Sequence, residues 1–161
     1  MKKAALTSLF IIFLLSACTK KEINSCTYTD SPIVAPQSEI NAVQAYLSLK
    51  GISATQLPCG LFYAIDDPGT GTVTPGLCNG ISVLYTGKLT SGTIFDQSSG
   101  QPSSNTLGQL IVGWQKGIPL IKAGGKIRLY IPPSLGYGSS AIGTIPPNSI
   151  LIFEVELVSV I

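Results

Sequence analysis

Hydrophobic and polar positions change rhythm three times along the chain. A largely apolar run, Ala4 to Leu15, follows Lys2 and Lys3 and ends in Leu15-Ser16-Ala17-Cys18. From Thr19 to about Gln37 the chain is polar, carries Pro32 and Pro36, and shows no apolar period. From Ser38 to Leu49, Ile40, Val43, Ala45, Tyr46, Leu47 and Leu49 fall at helical spacing, with Ser38 and Glu39 in front and Gly51 behind. That pattern predicts a short helix that packs on the domain or forms a stalk.

Beyond Pro58 the rhythm becomes that of short strands broken by Gly and Pro. Leu61 to Ile65 precedes the turn sequence Asp66-Asp67-Pro68-Gly69, and Ile81 to Leu89 precedes Thr90-Ser91-Gly92 and then Thr93 to Asp96. Lys126 to Ile131 and Ile150 to Val160 complete the set. In the last, Phe153, Val155 and Leu157 alternate with Glu154 and Glu156, as in a half-buried strand. One short helix fits this half, from Val112 to Ile118 around Trp114. Five strands and one helix predict an α+β domain with an antiparallel sheet packed on that helix.

The N-terminal run reads as a signal peptide, residues 1–17, because its roughly 14 residues to Ala17 fall short of the roughly 20 that span a bilayer. Leu-Ser-Ala-Cys resembles the lipobox of bacterial lipoproteins, which implies cleavage before Cys18 and acylation of that cysteine. Residues 18–37 then form a lipidated tether, 38–57 the N-terminal helix and its linker, and 58–161 the main domain. Two or more acyl chains anchor a protein stably without crossing the membrane. The box does not distinguish membrane or leaflet; the placement expected is the bacterial envelope, at the outer membrane facing the periplasm.

Composition sharpens this picture. The chain has 161 residues, 10 Lys+Arg against 8 Asp+Glu, four Cys and no His. Without His there is no Ser-His-Asp or Cys-His catalysis and no His-ligated metal. Removing Lys2 and Lys3 with the leader leaves 8 basic against 8 acidic side chains, so the formal charge of +2 belongs to the export signal. No nucleic-acid footprint is predicted. Export permits disulfides. With Cys18 committed to lipid, Cys26, Cys59 and Cys78 allow at most one internal pair; Cys59–Cys78 is the first expectation and Cys26–Cys59 the second, since spacing does not decide connectivity. No CxxC is present, which gives no support to thiol oxidoreductase chemistry or a structural zinc. No metal or cofactor is expected.

A series of short motifs then occurs in a fixed order: Val83-Leu84-Tyr85-Thr86-Gly87-Lys88-Leu89, Gly92-Thr93-Ile94-Phe95-Asp96, Leu107-Gly108, Gly113-Trp114, Gly124-Gly125-Lys126, Ile131-Pro132-Pro133, Leu135-Gly136-Tyr137-Gly138, Ile145-Pro146-Pro147-Asn148 and Phe153-Glu154-Val155-Glu156-Leu157. Over about residues 60 to 161 the chain closely resembles the FKBP-type peptidyl-prolyl cis-trans isomerases. The resemblance implies a twisted antiparallel sheet of about five strands wrapped around one short helix, with an apolar pocket between them. It implies Tyr85, Asp96, Tyr137 and Phe153 as catalytic residues, with Phe95, Leu110, Ile111, Trp114 and Ile145 binding substrate. Proline-containing polypeptides are the implied partners, and a macrolide of the FK506 type the implied inhibitor.

The chemistry needs no nucleophile. Rotating an amide costs about 18 to 20 kcal/mol because resonance is lost, and a dry aromatic pocket favours the less polar twisted form. By analogy the proline rests on Trp114 between Tyr85, Phe95 and Phe153, while the Ile111 N–H and the Tyr137 hydroxyl hold carbonyls. The chain also departs from the family. The loop between Asp96 and Pro102 and the stretch Gly108-Gln109-Leu110 look short, Ser103 and Asn105 stand where aromatics are frequent, and Ala141 and Thr144 make the opposite wall smaller. These departures imply altered substrate preference and weaker macrolide binding. They also motivate a different reading, a non-catalytic binding module or chaperone that uses the same pocket. A structural envelope lipoprotein is a third reading, with little in the sequence to support it.

Overall fold

The protein is described from a computed structural model, in which residues 26–161 are described. The leader and Cys18 lie outside those residues. Helix α1, Gln37–Lys50, packs on the domain through Ile40, Val43 and Leu47, with Tyr46 half-buried, whereas Ala45 and Leu49 of the same apolar series face solvent. Its end is set by Gly51, whose left-handed φ of 64° turns the chain while its N–H meets the Leu47 and Ser48 carbonyls.

Among the described residues, seven strands make one antiparallel sheet: β1 Thr55–Gln56, β2 Phe62–Asp67, β3 Gly80–Leu89, β4 Ile94–Gln97, β5 Ser103–Thr106, β6 Lys126–Ile131 and β7 Leu151–Val160. Their order is β1-β2-β6-β7-β3-β4, with β5 also on β3. The five strands expected are all present. The two extra ones are the pair β1 and the four-residue β5, both too short and too polar to show an apolar period.

β4 and β5 share one edge of β3. Thr86 to Lys88 pair with β4, Gly80 to Val83 pair with β5, and residues 98–102 bulge out between them. Tyr85 faces that gap, and Ser98 fills it: its Oγ accepts from the Tyr85 N–H at 3.0 Å and its N–H donates to the Tyr85 carbonyl at 3.0 Å. A backbone pair that would otherwise lack partners is thereby satisfied.

Along β7, Phe153, Val155 and Leu157 are buried while Glu154 pairs with Lys88 and Glu156 with Lys126 on the outer face, as the alternation predicts. Helix α2, Val112–Gly117, lies against the inner face. A Cβ on Gly113 would come within 2.6 Å of Ile131, and one on Gly117 within 2.5 Å of Leu129, so these two glycines let the helix backbone approach β6.

The disulfide differs from both expected pairs. Cys26 is joined to Cys78, with Cα atoms 5.6 Å apart, and Cys59 is free. Cys59 precedes β2 and Cys78 precedes β3; the two strands are separated by β6 and β7 and run oppositely, so these cysteines lie at different ends of the sheet. Three strand spacings of roughly 4.8 Å already exceed the reach of a disulfide.

The same bond corrects the tether. Residues 26–36 are a strap along the domain: Tyr28 packs on Gly108, Asp30 pairs with Lys116 of α2 at 2.5 Å, and the buried Ala35 donates to the Cys59 carbonyl at 2.9 Å. Polar composition concealed these contacts, because each is made by one residue rather than by a periodic face.

Candidate functional site

Where α2 meets the sheet, side chains from β3, β4, β5, α2 and β7 enclose a cavity of about 100 Å³. Its apolar part is an aromatic cage. Trp114 stands edge-to-face with Tyr85 at 5.4 Å and with Phe153 at 5.2 Å, interplanar angles 85° and 89°. The Tyr85 and Phe153 rings are tilted by 52° with centroids 6.2 Å apart. Such geometry matches ring edge to ring face and leaves a concave apolar floor. The Trp114 Nε1 is buried and has no acceptor among the described residues.

Three polar side chains besides Asp96 enter the same cavity. The Tyr85 hydroxyl donates to Asp96 Oδ2 at 2.7 Å, while Asp96 Oδ1 accepts from the Gln97 N–H at 2.9 Å. Burial first, and then the Asp96 bond and charge, push the Tyr85 phenol up to about 12. Tyr137, 37% exposed, closes the opposite side, and its phenol is also raised, chiefly by burial and then by Asp96. Asn105 from β5 is the third; its Nδ2 donates to Ser103 Oγ at 3.1 Å. Both tyrosines therefore remain neutral hydrogen-bond donors at ordinary pH.

Leu110 and Ile111 line the cavity from the turn before α2. Ile111 caps the helix, its carbonyl accepting from Trp114 and Gln115, and no acceptor for its own N–H occurs among the described residues. Gln115 pins that turn by donating to the Gly108 and Leu110 carbonyls at 3.2 and 2.7 Å. Sequence reading missed Gln115 and Ser98, whose contacts are to backbone and follow no side-chain period.

Two expected substrate contacts are not in the cavity wall. Phe95 packs edge-on behind Phe153 at 5.4 Å and supports the cage from outside it. Gly87 makes room for this: a Cβ there would lie 2.6 Å from Phe95 and 2.8 Å from Phe153. Ile145 is buried in its own loop, bridged to Ile142. Tyr85, Asp96, Leu110, Ile111, Trp114, Tyr137 and Phe153 do converge.

A wider depression of about 580 Å³ lies on the outer face of the sheet, among Asp66, Arg128, Lys126, Glu154 and Glu156. Its charged groups are largely spent on one another, as in the Arg128–Asp66 pair at 2.7 Å, so the aromatic cavity is the candidate site.

Fold and cavity together define a family. The chain belongs to the FKBP-type peptidyl-prolyl cis-trans isomerases, whose family profile matches residues 69–158. It is similar to FKBP-type peptidyl-prolyl cis-trans isomerase FkpA of Buchnera aphidicola subsp. Schizaphis graminum, 46% identical over 120 residues, which cover 73% of this chain and 47% of that one. Outer membrane protein MIP of Legionella longbeachae is 41% identical over 107 residues, 65% of this chain and 46% of that one. Among solved structures, FkpA from Escherichia coli superposes with a TM-score of 0.68 at 38% identity, covering 77% of this chain and 58% of that one. A peptidyl-prolyl cis-trans isomerase from Pseudomonas syringae pv. tomato gives 0.67 at 33% identity, covering 78% and 96%. The chain spans about half the length of the FkpA and MIP relatives named above.

Proposed function

We propose that this protein is a peptidyl-prolyl cis-trans isomerase acting on exported polypeptides. The observation that carries the reading is the Tyr85–Trp114–Phe153 cage with the Tyr85–Asp96 hydrogen bond at its rim. A cavity of about 100 Å³ suits a single ring, being far below the roughly 300–1,000 Å³ of pockets for drug-sized ligands.

In this mechanism the proline ring rests on Trp114, and the imide twists in an environment that offers its carbonyl few of the hydrogen bonds water provides. The planar amide is the more polar state, so its removal from water disfavours it relative to the twisted one. The Ile111 N–H and the Tyr137 hydroxyl hold flanking substrate carbonyls, and Asp96 fixes the Tyr85 ring at the edge of the cage. Each role uses a group the fold already presents, and none requires proton transfer.

Envelope location and lipid anchoring at Cys18 belong to the same proposal. The Leu-Ser-Ala-Cys box supports them, as does the Cys26–Cys78 bond, which suits an oxidising compartment. One relative is itself named an outer membrane protein. Among the described residues no helix is long and apolar enough to cross a membrane. Metabolic labelling with palmitate tests the anchor: label in the wild type and none in Cys18→Ala is the expected result.

The catalytic reading is tested by following cis-to-trans conversion in Pro-containing peptides with different residues before proline. Acceleration by the purified protein is expected, and none at any peptide would overturn it. The polar Asn105 in the wall favours one alternative, a chaperone that holds segments without turnover. Suppressed aggregation of a proline-free client, weakened by a Trp114 substitution and without isomerisation, would favour that alternative.

A further inference from the structure

Glu39, in the first turn of α1, makes a partly buried contact with Ser134, 95 residues later: Oε2 accepts from the Ser134 N–H at 2.9 Å and from its Oγ at 2.8 Å. Ser134 belongs to the single helical turn Pro133–Leu135 that launches the loop carrying Tyr137. Pro132 and Pro133 have no N–H, so Ser134 supplies the first backbone donor of the turn, and Glu39 takes it. The remaining bonds nest inside: Leu135 donates to the Pro132 carbonyl, and Gly136 and Gly138 both donate to that of Pro133, at 2.9 and 2.8 Å.

Tyr137 lies between those two glycines and lines the cavity; its carbonyl accepts from the Ser140 N–H at 3.3 Å, and its hydroxyl has no hydrogen-bond partner among the described residues. Its place is therefore set by the backbone of this turn. The other end of the contact is firm, because Ile40, Val43 and Leu47 anchor α1 in the core.

Resting on the isomerase reading, we infer that Glu39 is a positioning residue for that reaction: from the N-terminal helix it fixes the turn that presents Tyr137 to the substrate. Helix α1 is then part of the isomerase site, although it lies outside the residues matched by the family profile.

The test uses the full chain with Glu39→Ala, Glu39→Gln and Ser134→Ala. Glutamine keeps an oxygen that accepts both bonds, alanine at 39 removes both, and alanine at 134 removes only the hydroxyl donor. Glu39→Ala is expected to raise KM for a Pro-containing peptide about three- to tenfold with kcat within about twofold, and Ser134→Ala to give a smaller rise. Glu39→Gln is expected to restore most of the KM, and amide exchange at residues 134–138 to quicken only where KM rises. An active wild type with an unchanged KM in Glu39→Ala, even with a lowered melting temperature, overturns the inference and leaves the isomerase reading standing. A wild type without turnover overturns the isomerase reading itself, and the unmodified chain alone reveals it.

Discussion

The Tyr85 hydroxyl and Asp96 Oδ2 are 2.7 Å apart, and the bond joins β3 to β4 just where the strands begin to separate. One carboxylate thus fixes a ring of the cage and places negative charge at its rim. Asp96→Val removes both and leaves the phenol facing an apolar neighbour. A bond to a charged group contributes about 1.5–3 kcal/mol, so kcat/KM is expected to fall by about tenfold or more. Tyr85→Phe, which keeps the ring and leaves Asp96 solvated, is expected to cost less. Steady-state rates for both variants on one peptide check the order.

The same bond has an alkaline signature. Burial and Asp96 raise the Tyr85 phenol to about 12, against an ordinary 10. A group whose folded pKa lies above its unfolded value adds stability that is complete below the unfolded value and is lost as pH rises through the folded one. The protein should therefore lose stability between pH 10 and about 12, and Tyr85→Phe should lose less over that window. Absorbance titration of tyrosinate, compared between wild type and Tyr85→Phe, identifies the late phase. In Asp96→Val that phase moves to lower pH yet stays above 10, because burial is the larger cause.

Much of this site was legible in the sequence because its members lie on elements with strong local signals. Phe153 and Val155 alternate with Glu154 on a strand buried on one face, and Trp114 follows a glycine in the one short helix of the domain. The unread parts are single contacts between distant residues. Ser98 satisfies a gap that exists only because β4 and β5 share β3, and Gln115 bonds carbonyls of a turn before its own helix. Phe95 and Phe153 both border Gly87, yet only Phe153 reaches the cavity; motif order alone does not distinguish a cage ring from the ring behind it.

The strap offers a stability prediction. Cys26 and Cys78 are 52 residues apart, and closing a loop of that length constrains the unfolded chain by about 4 kcal/mol in the chain-entropy description. Cys26→Ser with Cys78→Ser is expected to lower stability by roughly 2–4 kcal/mol, with a reductant giving the same change in the wild type. Cys59→Ser should leave the urea midpoint nearly unchanged, since Cys59 is free. Equal losses for Cys59→Ser and Cys26→Ser would mean that the pairing differs.

Asn105 offers the sharpest test of substrate preference. It contributes an amide to a wall otherwise shaped by Leu110, Ile111 and the aromatic rings, and its Nδ2 is engaged by Ser103 Oγ, which leaves its carbonyl oxygen as an acceptor. Residues before proline that carry a donor gain a partner there, whereas large apolar ones meet a group that must be desolvated. Asn105→Phe removes the acceptor and extends the apolar wall. Across peptides that differ only before proline, the ratio of kcat/KM for Leu-Pro over Gln-Pro is expected to rise by about three- to tenfold in the variant. Affinity for an FK506-type macrolide is expected to rise with it, because the added ring supplies apolar contact area. Titration calorimetry with the macrolide and the peptide series share one variant. A peptide ratio that stays constant while macrolide affinity rises would place Asn105 beside the inhibitor but away from the residue before proline.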